Sequence, residues 1–209
     1  MKTKVDPPWL SWARELQAMA QTGLTFATGH YDIERYRRTM EIAAEMLAAK
    51  NGEPPEAILE AFLREPGYAT PKVDVRGAIV QDGRILLVQE RVDGKWCMPG
   101  GWADIDEAPS EMVIREVREE SGFVVVPRKV IGVFDANRTG MPRNFFHAYK
   151  VVFMCEVLGG EPTPSSETAA AEFFDFDRLP ELSEQRTHTR HLTEVRAHYT
   201  DPSRMTAFD

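Results

Sequence analysis

The hydrophobic period of this chain changes once, near residue 69, and that change limits the folds open to it. Before it, apolar residues recur at three- and four-residue spacing: Trp9, Trp12, Ala13, Leu16, Met19 and Ala20, then Ile33, Tyr36, Met40, Ala44 and Leu47, then Ile58, Leu59, Phe62 and Leu63. That spacing lines one face of a helix. Gly23 closes the first helix or follows its end. Asp32 is a candidate N-cap for the second, Asn51-Gly52 stops it, and Pro54-Pro55 open the third. After Pro66-Gly67 and Thr70-Pro71 the period falls to two. Val73, Val75, Ala78 and Val80 predict a strand, Asp82-Gly83 a turn, and Ile85–Val88 a second strand. Further strands are expected around 130–134, 146–157 and 172–176. Asp177-Arg178-Leu179-Pro180 closes the last of them, and a polar helix follows from about 183 to 198. The reading is α+β: a helical domain over 1–68, then a layered domain over 69–209.

Charge and cysteine usage remove several functions. The 209 residues carry 25 lysines and arginines against 33 acids, a net charge of −8. The helical segment has 8 basic and 10 acidic residues. Neither balance suits a duplex-nucleic-acid binder, which needs a basic face. A basic pocket for a small anion stays open. Cys97 and Cys155 form no disulfide framework and lack zinc-site spacing, so both are expected as buried thiols. No apolar run approaches the ~20 residues of a membrane span. Asp6, Pro7 and Pro8 stand where a signal peptide would be apolar, so the expected location is cytoplasmic.

The chemistry concentrates between Gly100 and Phe123. Gly100-Gly101, after Trp96-Cys97-Met98-Pro99, is backbone that bends tightly and approaches a ligand closely. Pro109 or Ser110 starts a helix that runs unbroken to Glu120 and stops at Gly122. At about 100° per residue, Val113, Ile114, Val117 and Ser121 share one face. Glu116 and Glu120 lie one turn apart, and Glu119 lies beyond Glu116 from the apolar stripe. Three carboxylates thus form a ridge beside the buried face. Arg115 can brace Glu119, and Glu107 can fold back from the preceding loop. Like charges so spaced repel by a few tenths of a kcal/mol per pair. A hard divalent cation removes that repulsion, and oxygen-only ligands favour Mg²⁺ or Mn²⁺ over zinc. A solvated acidic helix face is the competing reading.

Gly101, Glu107, Arg115, Glu116, Val117, Glu119, Glu120, Gly122 and Phe123 fit, position for position, the signature of the Nudix family. The signature reads Gly, five residues, Glu, seven residues, Arg-Glu, an aliphatic, any residue, Glu-Glu, any residue, Gly, and an apolar residue. Seven fixed residues at ordinary background usage coincide in roughly one window per 10⁸. The chain also resembles a branch of that family with an N-terminal helical domain, through Pro71–Arg76, Asp93–Trp96, Pro99–Asp104 and Asp175–Pro180. That branch includes CDP-choline pyrophosphatases and ADP-ribose pyrophosphatase-like enzymes.

The resemblance implies an α/β/α sandwich with a mixed sheet. It implies Mg²⁺ held by Glu116, Glu119, Glu120 and the Gly100 carbonyl, with Arg115 and Glu107 joining loop to helix. The implied reaction is hydrolysis of a nucleoside diphosphate linked to X, giving a nucleoside monophosphate and phospho-X. Glu119 is a candidate general base. Glu167, in the loop Ser165–Thr168, is another or else a solvated carboxylate, and Glu172 reads as structural. Arg76 and Lys95 are candidate substrate contacts, with a structural ion pair the alternative for Arg76. Arg138 and Arg143, flanking Gly140, are candidates for a loop over the site. Trp96 and Trp102 can stack on a base or pack. His188, His191 and His198 are placed near a surface helix without a catalytic role. The Trp9/Trp12 and Met/Ala stripes suit either a self-contained three-helix packing or a dimer contact, and the branch, which tends to be dimeric, implies a homodimer. RNA 5′-end or 3′-end processing is the alternative activity, and a ligand-sensing module is a further one.

Overall fold

The computed structural model describes residues 8–138 and 147–209, without the side chain of Asn51. Two compact units result, divided at Pro71–Lys72.

The first unit is three helices, α1 (Pro8–Phe26), α2 (His30–Asn51) and α3 (Pro55–Leu63). Their inner faces bury Leu10, Ala13, Ala20, Met40, Ala44, Leu47, Ile58 and Phe62. The small residues let α1 and α2 approach closely. A Cβ on Gly23 would sit 2.4 Å from the Tyr36 ring. The expected α1 stripe is rotated: Leu10 is buried while Trp12 and Met19 are exposed. The expected cap of α2 is also corrected. Gly29 takes that place in extended backbone, its carbonyl accepting from the Asp32 and Ile33 amides. Asp32 lies inside the first turn, where a carboxylate meets the positive end of the helix dipole, and it pairs with Arg35. Gly52, at φ 76°, ends α2 as expected.

The second unit is built on β1 (Lys72–Gln81), β2 (Arg84–Glu90), β3 (Trp96–Cys97), β4 (Phe123–Asp135), β5 (Ala148–Gly160), β6 (Thr168–Asp175) and β7 (Ala207–Phe208), with α4 (Pro109–Ser121) and α5 (Thr189–Thr200). The strand order is β3-β2-β1-β5-β4-β7, with β6 also paired to β2. β1 and β5 run parallel, whereas β1–β2, β2–β6 and β4–β5 are antiparallel. Asp82 (φ 50°) and Gly83 (φ 75°) make the tight β1–β2 hairpin that Asp-Gly predicts.

The sheet is covered on both faces, as an α/β/α sandwich. One core joins Val75, Ile79, Leu86 and Val88 to Met112, Val113 and Val117 of α4. The other joins Ala78, Ile85 and Leu87 to Leu192 and Val195 of α5. Two covered faces explain why Ile85–Val88 is a continuous apolar run rather than an alternating one. The final helix starts later than expected. Residues 183–187 form a turn, with the Arg186 and Thr187 amides on the Ser183 carbonyl. His188 caps α5, its Nδ1 accepting from the Arg190 amide. His191 and His198 are buried rather than superficial. Burial holds the His191 imidazole down at about 3, so it is neutral. No helix among the described residues is long and apolar enough to cross a membrane.

α4 lies on β1 at Gly77, where a Cβ would fall 2.6 Å from Val117 Cγ2. Gly77→Val should therefore lower stability by about 1–3 kcal/mol in urea unfolding, because it overpacks a filled contact. An unchanged midpoint would mean that the helix yields there freely.

Candidate active site

The site begins where the chain leaves β3. Residues 99–103 run beside the first half of β1. The Val75 amide donates to the Gly101 carbonyl (2.8 Å), Gly77 to Pro99 (2.9 Å), and Ala103 to Val73 (2.8 Å). Gly100 takes φ 135°, and a Cβ there would lie 2.0 Å from the Val75 carbonyl oxygen. Only glycine fits. Its amide donates to Glu120 Oε2 at 2.8 Å, joining this loop to α4.

α4 opens at Pro109, with Glu111 Oε2 accepting from the Ala108 amide. It ends at Gly122 (φ 81°), whose amide returns to the Arg118 carbonyl. The loop 161–168 is tied to that end. Thr163 N donates to the Ser121 carbonyl, and Thr168 Oγ1 to the Glu120 carbonyl (2.6 Å). The Glu167 carbonyl accepts from the Arg91 amide (2.9 Å).

These elements enclose a cleft of about 630 Å³. Glu116, Glu119, Glu120, Arg115, Gly100, Arg76 and Glu167 all line it. The Glu116 and Glu120 side chains are largely buried, whereas Glu119 is exposed. Arg115 sits among the acids. Its Nε and Nη2 grip Glu107 (2.9 and 2.7 Å), its Nη1 donates to Glu116 (2.9 Å) and Glu119 (3.1 Å), and its Nη2 also reaches Asp104 (3.1 Å). Arg115 holds the Glu107 carboxyl below its ordinary range. Burial pushes Glu116 up and raises Glu120 to about 7, against the pull of Arg76 and the Gly100 amide.

Arg76 is buried in β1. Its Nε and Nη2 bond Asp74 (2.9 and 2.8 Å), and its Nη1 bonds the Met98 carbonyl (3.0 Å). Lys150 Nζ lies 3.1 Å from the same Asp74. Burial brings Lys150 down to about 8 although Asp74 opposes the shift. Lys95 is not among the residues that line the cleft and pairs with Glu181 at 2.9 Å. Trp96 packs edge-on against Phe174, whereas Trp102 lines the cleft. Glu172 is exposed on β6, outside the cleft lining. Arg138 is exposed and near Asp135, while Gly140 and Arg143 fall outside the described residues. Both thiols are buried, and burial lifts Cys155 to about 12.

The sequence reading missed Glu90, Arg186 and Ser166, which also line the cleft. Glu90 carried a weak signal, as a lone carboxylate shortly after an apolar strand. Arg186 carried none, since it stands among polar residues at the start of the expected final helix and belongs to no motif.

Among the described residues, no three His, Cys, Asp or Glu side chains converge tightly enough to hold a metal as they stand. The guanidinium of Arg115 occupies the space between Glu116 and Glu119, so a cation would have to loosen that grip. The donor set fits a hard cation nevertheless. Six carboxylates line the cleft against three guanidiniums, and burial makes the charged forms of Glu116 and Glu120 less favourable, a cost that a bound cation would offset.

Residues 71–195 match the NUDIX domain model, and residues 7–62 match a model described as a UDP-X-like, N-terminal oligomerisation domain. A Bacillus subtilis (strain 168) protein provisionally named an ADP-ribose pyrophosphatase is 38% identical over 99% of both chains. A crystal structure described as UDP-X diphosphatase is 32% identical, with TM-score 0.63, over 96% of this chain and 98% of that one. The structure of an ADP-ribose pyrophosphatase from Streptococcus suis is 40% identical, with TM-score 0.62, over 67% of this chain and all of that one.

Glu120 gives a test that needs no substrate. Its folded value, about 7, exceeds its ordinary 4.5, so its contribution to stability is full below about pH 4.5 and lost as pH rises to about 7. Glu120→Gln should remove that loss. Without divalent cations at pH 8, the variant should be at least as stable as the parent, by up to about 3 kcal/mol in urea unfolding. A clearly destabilised variant would show that the charged carboxylate is already well compensated.

Proposed function

The chain belongs to the Nudix hydrolase family, and from that premise we propose that it hydrolyses the diphosphate of a nucleoside diphosphate linked to X with Mg²⁺ as the cation. The products are a nucleoside monophosphate and phospho-X. ADP-ribose heads the candidate substrates, because relatives at 38% and 40% identity carry ADP-ribose pyrophosphatase names. CDP-choline-like and UDP-linked compounds follow, the latter from the UDP-X diphosphatase likeness.

The observation that carries this reading is the meeting of Glu116, Glu119 and Glu120 with Gly100 in one cleft. These carboxylates, with the Gly100 carbonyl, would hold the cation. Bound there, it would offset the charge of the diphosphate and of the oxygens as water attacks phosphorus. Family members generally use divalent metals, and an all-oxygen donor set selects Mg²⁺, with Mn²⁺ as substitute. Arg115 orients the ridge through Glu107 and Asp104 while it limits repulsion between Glu116 and Glu119. Glu167 enters the cleft wall from a loop fixed by Arg91 and Ser165, which suits a base that takes a proton from attacking water. Glu119, exposed on α4, is the other base candidate.

A panel of ADP-ribose, CDP-choline and UDP-sugars with Mg²⁺, read by phosphomonoester release, tests the activity. Chelation should abolish turnover and Mg²⁺ restore it. Glu116→Gln and Glu120→Gln should each lower kcat roughly 10²–10⁴-fold, the scale of a lost electrostatic contribution of several kcal/mol. Full activity in either would remove the ridge from the mechanism. Release of nucleotide from capped or 3′-extended RNA, with the panel untouched, would favour RNA processing instead.

The helical unit is proposed to join two copies into a homodimer. Its surface bears exposed Met19, Phe26 and Tyr68 around a groove that also includes Gly23 and Tyr36. Phe26→Asp with Met19→Asp should convert dimer to monomer in light scattering at micromolar concentration. A parent protein already monomeric there would reject this role.

A further inference from the structure

The cleft holds three guanidiniums, and their engagement differs. All three nitrogens of Arg76 bond Asp74 or the Met98 carbonyl. All three nitrogens of Arg115 bond Glu107, Glu116, Glu119 or Asp104. Arg186 is held on one side alone. Its Nε lies 3.2 Å from Glu90 Oε1, and its Nη1 donates to Ser183 Oγ (3.0 Å) and Asp93 Oδ2 (3.3 Å). Among the described residues, its Nη2 has no partner.

The turn that carries Arg186 is fixed from below. Ser183 and Thr187 are buried polar residues. Ser183 Oγ donates to Asp93 Oδ2 (2.8 Å), the Ser183 amide to the Trp96 carbonyl (2.8 Å), and the Met98 amide to Thr187 Oγ1 (2.9 Å). The last bond ties the turn to the residue two before Gly100. Arg186 is thus positioned against the same loop that reaches Glu120, and its open edge belongs to the cleft wall. A preorganised guanidinium loses little freedom on meeting an anion, and its fork matches phosphoryl oxygens.

We infer that Arg186 anchors the substrate by donating to diphosphate oxygens, so that the carboxylate ridge and Arg186 grip the diphosphate from two sides of the cleft. This rests on the diphosphate-hydrolase reading above and adds to it a substrate-binding residue outside the family signature. Arg186 sets affinity for the diphosphate group itself, whatever the base or X.

Two readouts test it on the full chain. The first is titration with inorganic pyrophosphate at saturating Mg²⁺ by calorimetry. The second is kcat and KM on whichever panel compound the parent hydrolyses. Arg186→Ala should weaken pyrophosphate binding at least tenfold and lower kcat/KM by a similar factor, the loss carried by KM. Arg186→Lys, which keeps the charge without the fork, should fall between the two. Glu90→Gln with Arg186→Gln removes both charges and leaves no buried carboxylate unpaired, so it carries the test if Arg186→Ala does not fold. It should remain at least tenfold weaker for pyrophosphate. Pyrophosphate affinity at the parent level in this double variant would overturn the inference, since Arg186 would then merely neutralise Glu90. An unchanged KM in a folded Arg186→Ala variant would overturn it as well. A parent that binds pyrophosphate through Arg186 yet hydrolyses no panel compound would sink the proposed activity while leaving the anchor in place.

Discussion

The bond from the Gly100 amide to Glu120 is the joint on which the second unit's chemistry depends. It links a loop that can approach β1 so closely only as glycine to the last turn of a helix that lies flat on the same strand. β1 therefore acts as a common ruler. Val75 and Gly77 hold the loop through their amides, while Gly77 offers α4 a surface without a side chain. Glu120 is placed by both. Its burial is a consequence of that packing, and so is its raised affinity for protons. Once charged, Glu120 is costly to the fold by its burial, and a divalent ion bound beside it would offset that cost.

The ridge also shows how one guanidinium keeps like charges close together. Arg115 touches four carboxylates at once: its contacts with exposed Asp104 and Glu119 are individually modest, while those with Glu107 and Glu116 are more sheltered. Together they hold Glu116 and Glu119 apart and draw the 104–107 loop onto the helix. The same guanidinium opposes tight convergence of the acids. A cation bound by Glu116 and Glu119 would therefore have to displace Arg115 Nη1 from both. The buried Asp74–Arg76–Lys150 group is different. There the charges compensate each other within the sheet, and Arg76 reaches the Met98 carbonyl, so the network stiffens the approach to Gly100.

What could be read from the sequence follows from how local the causes were. The ridge, its stop at Gly122 and the Asp82-Gly83 hairpin are set by spacing within one helix or one turn, and the residues alone expressed them. The double burial of β2 was visible as the unbroken run Ile85–Val88. The rotation of α1 was hidden, because Trp12 and Met19 are apolar enough to mimic a core stripe, whereas the true contact with α2 is made by alanines and Leu10. The cap of α2 was misplaced because Asp32 has the right chemistry three residues too late. The buried histidines, the turn at 183–187 and the partners of Arg76 depend on pairings distant in sequence. A single chain carries no periodic signal for those.

The same distinction separates parts of the cleft. Its carboxylate-bearing wall is one helix, encoded in one contiguous stretch. Its opposite wall is assembled from the ends of β2 and the segments near 165 and 186, each set by its own hydrogen bonds to α4 or to the loop before Gly100. The first wall is legible in the sequence because its causes are local, and the second is not, because its hydrogen bonds join segments far apart in the chain. Arg186 belongs to the second wall, so its inferred role toward the diphosphate is reached only through the structure.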